Sequence, residues 1–598
     1  MKNNPNVLEE SPVKTPGRSG SQPIMPVRIN TGETTNAYDI YPYHSLGHGC
    51  INNGYESLAG WIMTHKAIVI DGYVGVYWEE VQQYLHDEFE KQGLRVNWIR
   101  AAAYLKEPSQ VQQLVEPFIG TENGVWGTRC TLQLADLFNI PAIKLDNQYE
   151  LTVIIGTGAS VLYQSAPVVY LDLPKNELQL RMRSSSVTNL GADTTYSPVE
   201  MYKRFYFVDW VLLNEHKKKI LDRMVVIGDA QWPDTVNWSL AADVLVGLKQ
   251  LGNTVFRVRP WFEPGAWGGY WMKDRIPGLS QEEINYAWSF ELIVPENGIV
   301  FESDGFLLEL SFDFLMFSER TAVLGKHADR FKDEFPIRFD FLDTWNGGNL
   351  SIQCHPSLPY IQQHFGETIT QDETYYILDC QEEAQVYLGF QDNINPAEFR
   401  EALETSRDEK LPIEITQFVQ SHKANKHDLF LIPNGTVHSA AAGNLVLEIS
   451  ATPYIFTFKM YDWLRLGLDG EPRAINIEHA FNNLNFERKG AKVQEELISK
   501  QVVLQQGADW ELVHVPTHAE HFYDVHRLEF DSEMVVETNG SCHVLMLVEG
   551  SKIAVISQGG QVADFNYAET FVIPAAAQQY TLVNKGKGRA KLIKAFLK

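Results

Sequence analysis

Residues 351–355 read Ser-Ile-Gln-Cys-His, and this stretch constrains the fold more than any other in the chain. In an extended strand, residues i and i+2 leave the same face. Gln353 and His355 therefore project an amide oxygen and an imidazole nitrogen into one space, while Cys354 faces away as a packing residue. Glu373, in Asp-Glu-Thr-Tyr-Tyr-Ile-Leu, and His438, in Ile-Pro-Asn-Gly-Thr-Val-His, lie in surroundings that are strand-like or punctuated by turn residues. Alternate residues of several strands line one face of a β-barrel. Strands folded back so that the four side chains meet would offer an N/O set suited to zinc or a similar divalent ion. Gln-x-His alone is a weak signal, because a lone His or Glu in a strand is more often a packed or surface residue. The surrounding segments change the odds.

From about Trp267 onward a collinear series of segments resembles the class I (cupin-type) mannose-6-phosphate isomerases. The series runs from Pro264-Gly265-Ala266-Trp267-Gly268-Gly269 through Phe335–Asp343 to Leu350-Ser351-Ile352-Gln353-Cys354-His355-Pro356. It continues with Glu373–Leu378, Ile432–His438, Leu445–Ile449, Tyr461-Asp462-Trp463-Leu464-Arg465, Pro472-Arg473 and Ile477–Ala480. The resemblance implies that Gln353, His355, Glu373 and His438 bind Zn2+, that Arg465 lies in the substrate cleft, and that mannose 6-phosphate and fructose 6-phosphate are interconverted. Such a reaction moves a proton between C1 and C2 while negative charge develops on the sugar oxygens. A divalent ion and a fixed guanidinium can both stabilise that charge. The reaction also needs a general base. Glu448 and a water on the ion are the two candidates, and Glu448 is equally well read as support for the metal shell or as a partner to a cation.

Two departures bear on the substrate. Gln371 stands where many members of the family carry a lysine two residues before the metal-binding glutamate, and Asp340 stands where another lysine is usual. Those lysines lie near the sugar phosphate in the family, so phosphate recognition must be supplied by other groups. Arg338, Lys459 and Ser351 are the expected substrate contacts beside Arg465. The alternatives are an isomerase of a different sugar, a metal-containing cupin that serves as a sugar-binding or regulatory module, and a cupin oxygenase. Gln353 and the Tyr-Asp-Trp-Leu-Arg segment count against the last.

The first half has a different pattern. Ala67–Ile70 reads as a buried strand, Asp71–Val76 as a turn, and Tyr77–Gln92 as a helix stopped by Gly93. Val153–Gly158 and Val168–Leu173 are further strands, and Asn253–Arg259 reads as a last strand ended by Pro260. Short apolar strands alternating with helices predict a mostly parallel α/β sheet covered on both faces. The strand–turn–helix from Ile70 to Glu80 faintly resembles a P-loop kinase. The turn lacks Gly-Lys-Ser/Thr, and Glu79 and Glu80 would repel a triphosphate, so the resemblance implies a degenerate P-loop without kinase activity.

From about Glu511 the chain is β-rich. Cys542–Gly550 followed by Lys552–Ile556 reads as a hairpin, and Glu569–Ala575 resembles the family's second barrel. The expected fold class is α/β plus all-β: a loose arm at 1–35, a P-loop-like α/β domain at 36–262, a catalytic cupin at 263–510 and a second cupin (jelly-roll) barrel at 511–598. A net charge of −26 argues against nucleic-acid binding. No apolar stretch approaches bilayer length, and the N-terminus lacks a signal-peptide core. Five cysteines in 598 residues make no disulfide framework. The expectation is a cytoplasmic protein acting on a small sugar phosphate, without nucleic-acid or membrane partners, with self-association left open.

Overall fold

The computed structural model describes residues 17–30, 37–120, 124–294 and 296–598. Within the span expected as an arm, residues 17–30 are held: Met25 and Ile29 are buried, and Arg18 pairs with Glu177 at 2.8 Å. Residues 1–16 and 31–35 lie outside the described residues.

The first half is an α/β unit around a seven-stranded sheet. Its order is Ile51–Asn53, Asn237–Leu240, Met224–Asp229, Val168–Asp172, Ala67–Gly72, Leu151–Ile155, Val96–Arg100. The last five strands run parallel, and the first two close one edge in antiparallel sense. Leu151–Ile155 and Val168–Asp172 are buried at every position, which is why they read as continuous apolar runs. The helix Trp78–Lys91 turns Val81, Leu85 and Phe89 inward and ends just before Gly93, whose φ of 70° suits a helix stop.

The turn after Ala67–Gly72 gives the P-loop resemblance no support. It is filled by the protein's own groups. A Cβ on Gly75 would meet Leu178 Cδ1 at 2.4 Å, and the Gly75 carbonyl accepts from Arg181 at 2.8 Å. Nearby backbone N–H groups are also taken: Gly72 and Gly158 both donate to Asp71 Oδ1 at 2.7 Å. In an open α/β sheet the ligand crevice lies where the strand order reverses, here between Ala67–Gly72 and Val168–Asp172. Lys217 occupies it, bonded to Asp172 at 3.0 Å and Ser311 at 2.6 Å, with its ammonium 4.6 Å from the Tyr73 ring centre. Lys175 and Asp313 pair beside it at 3.0 Å.

Ser311 and Asp313 come from beyond residue 262. The hairpin Gly298–Ser303/Phe306–Ser311 pairs with His44–Ser45 and packs on the α/β sheet, where Glu309 N–H donates to Asp229 and Ser311 N–H to Asp172. Residues 253–259 do not form a strand of that sheet. Phe256 exchanges two backbone hydrogen bonds with Val572, at 3.0 and 2.8 Å, and ties this connection to the C-terminal region.

The second half is cupin-like. A six-stranded sheet runs Leu429–Ile432, Glu373–Cys380, Asn444–Ala451, Ile337–Asp343, Trp288–Leu292, Trp261–Glu263. Its five-stranded partner runs Val419–Lys423, Gln385–Phe390, His438–Ala440, Ile352–Cys354, Phe458–Tyr461. The C-terminal region repeats this with a six-stranded and a four-stranded sheet around Leu528, Leu545, Leu547, Val555, Phe571 and Leu592. The expected hairpin there is corrected. His543–Glu549 pairs with Thr570–Ile573 and Ala590–Leu597, whereas Lys552–Ser557 crosses to the opposite sheet. All five cysteines are free thiols, and Cys354 is fully buried. Among the described residues no helix is long and apolar enough to cross a membrane.

Candidate metal centre

Register brings the four expected ligands together. Gln353 stands directly opposite His438 on one side and Lys459 on the other, so the three side chains share a face of the five-stranded sheet. On the six-stranded sheet Arg338, Ser450 and Glu373 form one row, and Asp340, Glu448 and Tyr375 the next. The Pro-Asn-Gly-Thr turn sets His438. Gly435 has φ 76°, and a Cβ there would meet Asn483 O at 2.4 Å. Its N–H donates to His355 O at 2.9 Å, linking the two histidine segments.

His355 Nε2 lies 2.9 Å from Glu373 Oε1, and His438 Nε2 lies 3.4 Å from Glu373 Oε2. The ligand atoms of these three buried residues fall within 4.8 Å of one another. Gln353 joins them, with its amide nitrogen 3.2 Å from His438 Nε2 and its oxygen accepting from Ser351 Oγ at 2.8 Å. Exchanging the amide's O and N turns the oxygen toward the imidazoles and lets the nitrogen donate to Ser351.

The tautomers follow from the neighbours. A carbonyl can only accept, so Nδ1–H of His355 donates to Phe456 O at 2.9 Å and Nδ1–H of His438 donates to Thr436 O at 2.9 Å. Both Nε2 atoms then carry lone pairs, and both face carboxylate oxygens. His355 Nε2 and Glu373 Oε2 are buried with no hydrogen-bond partner among the described residues. Burial holds His438 below the ordinary imidazole range, which keeps it neutral. Lone pairs converging without a proton between them are mutually repulsive unless a cation lies among them. The donor set, two imidazoles, one carboxylate and one amide, therefore fits a divalent ion with borderline N/O preference.

A second layer surrounds the four. Gln371 Nε2 donates to Glu373 Oε1 at 2.7 Å, and Gln371 Oε1 accepts from Phe456 N–H at 3.2 Å. Arg338 is buried among three carboxylates: Asp340 at 3.1 Å, Glu373 at 3.9 Å, and Glu448 in direct contact. Glu448 also accepts from Ser450 Oγ at 2.9 Å. The charge of Arg338 is thus matched by protein carboxylates. Burial pushes the Asp340 carboxyl up to about 7 against the pull of Arg338.

Arg465 reaches the site through a backbone detour. Trp463 and Leu464 are both left-handed, at φ 57° and 55°, and turn Arg465 back toward Asn349 O, 2.6 Å away. A Cβ on Gly348 would lie 2.8 Å from Arg465 Nη1, so glycine there leaves the guanidinium its place. Arg465 and Arg473 share Asp462, at 2.8 and 2.6 Å. Burial, then the charge of Arg473, lowers Lys459 to about 8. Three cations therefore gather around one carboxylate beside Ser351 and Gln353.

Of the expected site residues, Gln353, His355, Glu373 and His438 converge, Ser351 and Lys459 flank Gln353, Arg338 and Glu448 pair, and Arg465 bonds Asn349 O and Asp462. Sequence reasoning passed over three more. Arg473 was visible in the Pro-Arg pair. Tyr375, two residues after Glu373, has a buried hydroxyl without a hydrogen-bond partner among the described residues and a ring 5.7 Å from His438. Phe456, whose backbone serves both His355 and Gln371, left no sequence signal.

Known proteins match two different parts of the chain. Residues 54–253 match a family model described as a domain of unknown function, DUF8485. Mannose-6-phosphate isomerase ManA of Bacillus subtilis (strain 168) is 26% identical over 220 residues, which are 37% of this chain and 64% of ManA. YvyI of the same organism is 22% identical over 336 residues, 56% of this chain and 96% of YvyI. The crystal structure of mannose 6-phosphate isomerase from Bacillus subtilis superposes with a TM-score of 0.47 at 19% identity, over 57% of this chain and 99% of the other. In its match to ManA the chain spans less than two thirds of that protein's length.

Proposed function

We propose that the protein is a Zn2+-dependent aldose–ketose isomerase of phosphorylated sugars, with mannose 6-phosphate and fructose 6-phosphate as the pair. The observation that carries this reading is the convergence of four neutral or anionic donors next to a separate cluster of cations. Gln353, His355, Glu373 and His438 would hold the ion. When bound, it would supply Lewis-acid stabilisation of charge on the sugar oxygens.

The remaining chemistry is assigned to the chain's own groups. Arg465, Arg473 and Lys459 outnumber Asp462 by two charges, counting three cations against one carboxylate. Arg465 would stabilise the charge developing on the sugar oxygens, and Arg473 and Lys459 would take the phosphate dianion that the two missing lysines no longer address. Ser351 would hold Gln353 and present its hydroxyl to the same group. Tyr375 Oη, buried without a hydrogen-bond partner among the described residues, is placed to bond a sugar hydroxyl. Proton transfer between C1 and C2 is assigned to the carboxyl pair Glu448 and Asp340 that flanks Arg338. Asp340, at about 7, can hold or release a proton near neutrality. Arg338 would fix this pair in place. Such a protein would work in solution, in the cytoplasm, as one two-barrel cupin region carried by the α/β half.

The pairing of Arg338 with protein carboxylates favours a second reading, a metal-containing sugar-binding module without turnover. A coupled assay of mannose 6-phosphate isomerisation, before and after chelation, separates the two. Turnover lost on chelation and restored by Zn2+ supports the isomerase. Zn2+ retained with sugar binding and no turnover supports the module. In either case His438→Ala should abolish Zn2+ retention, and a variant that keeps one equivalent of Zn2+ would remove the proposed site.

A further inference from the structure

We propose that the α/β half completes the metal centre by clamping Tyr454, Ile455 and Phe456 behind His355, an inference that rests on the metal-binding reading above. Each of these three consecutive residues is met by the α/β half, Tyr454 by both Tyr202 and Tyr206. Tyr454 Oη bonds Tyr202 Oη at 2.6 Å. The Ile455 carbonyl accepts from Trp126 Nε1 at 2.9 Å. The Phe456 ring meets Phe207 edge-on at 6.1 Å between centres.

The grip matters because of what Phe456 does. Its carbonyl accepts from His355 Nδ1 at 2.9 Å, fixing the tautomer that leaves Nε2 free to ligate. Its N–H donates to Gln371 at 3.2 Å, and Gln371 donates to Glu373 at 2.7 Å. The backbone of one residue thus orients two of the four proposed ligands. Such outer partners set ring orientation and ligand basicity.

No sheet ladder holds this backbone. One strand ends at Ala451 and the next begins at Phe458, so the residues between depend on side contacts. On the barrel side they have Phe365, 5.0 Å from the Phe456 ring, and Arg338, 5.8 Å from the Tyr454 ring. On the other side are Trp126, Tyr202 and Phe207. Phe207 lies in a single π-helical turn, Phe205–Asp209, between the helices Pro198–Arg204 and Trp210–Ile220. Its own carbonyl accepts from Cys130 N–H at 2.8 Å, which ties it to the segment carrying Trp126. The crevice of the α/β sheet is filled by Lys217 and Tyr73, while this surface reaches the centre of the other half.

Trp126 and Phe207 are positioning residues, and the test uses the full-length chain with Zn2+ and Co2+ as probes. Trp126→Phe keeps the ring but deletes the N–H to Ile455, and Phe207→Leu removes the edge contact. Each should weaken Zn2+ about 10-fold or more in chelator competition, the usual range for an outer-shell partner, and shift the visible absorption of the Co2+ form. Arg129→Ala is the control. It breaks the interface ion pairs with Glu334 and Glu367, at 3.0 and 3.5 Å, without touching residues 454–456, and should keep Zn2+ affinity within about twofold. Wild-type affinity and spectrum in Trp126→Phe and Phe207→Leu would overturn the clamp alone. So would an equal loss in Arg129→Ala, which would mark general loosening of the interface. Failure of the wild-type chain to bind Zn2+, or unchanged binding by His438→Ala, would overturn the metal reading and the clamp with it.

Discussion

Replacing Arg338 by methionine should destabilise the cupin-like region, and by more at high pH than at low. Arg338 and all three carboxylates around it are buried, and its contacts to Asp340 and Glu373 are 3.1 and 3.9 Å. At an effective dielectric of about 20, unit charges at such separations attract by about 4–5 kcal/mol. That attraction offsets the cost of burying the charges, so the measurable quantity is the loss when one partner is removed, about 3–5 kcal/mol. The pH dependence follows from Asp340. Its folded carboxyl titrates at about 7 with Arg338 present, and removing the guanidinium lets burial raise it further. Well below that value it enters the folded state protonated and leaves no bare charge. Well above it, the variant must bury a carboxylate without a counter-ion. Urea unfolding of the wild type and Arg338→Met, followed by tryptophan fluorescence at about pH 5.5 and pH 8.5, should give the full difference at the higher pH and a smaller one at the lower. Equal differences at both pH values, or less than about 1 kcal/mol at pH 8.5, would refute the electrostatic account and leave Arg338 a space-filling residue.

Other outcomes follow from the same geometry. Arg473→Ala should raise KM for a phosphorylated sugar about tenfold with little change in kcat, since a lost phosphate contact weakens ground state and transition state alike. Arg465→Ala should lower kcat. Both should keep Zn2+ by elemental analysis, and loss of metal in either would place these arginines in the metal shell. Glu296 bonds Tyr202 at 3.1 Å, and burial raises it to about 7. Its folded form keeps a proton that the unfolded chain gives up, so its contribution is full below the ordinary glutamate range and fades as pH rises through about 7. Glu296→Gln should flatten the fall in stability between about pH 4.5 and 7 by up to about 3 kcal/mol. An unchanged slope in unfolding titrations would show that Glu296 ionises freely.

The sequence by itself picked out the four side chains that converge and the elements that bear them. Gln353 and His355 share a face because strand side chains alternate, and Gly435 in the Pro-Asn-Gly-Thr turn aims His438, a local matter of φ angle. The α/β pattern was legible for the same reason: buried parallel strands must be apolar throughout, and Gly93 stops its helix locally. Pairing across distance was not. The apolar runs around residues 545 and 555 looked like a hairpin, yet the turn between them carries the chain from one sheet to the other. Local pattern gives a strand its faces, and only packing decides which sheet it joins. The Asp71–Val76 turn read as a degenerate P-loop, and Lys217, from far along the chain, lies in the crevice beside it. Arg338 read as a cation for substrate, and tertiary structure surrounds it with three carboxylates, of which Glu373 and Glu448 arrive from other strands. The backbone of Phe456 behind His355, and the aromatic side chains of the other half that hold it, carry no periodic or motif signal. Backbone hydrogen bonding and domain contact depend on where the chain arrives, which no window of sequence records.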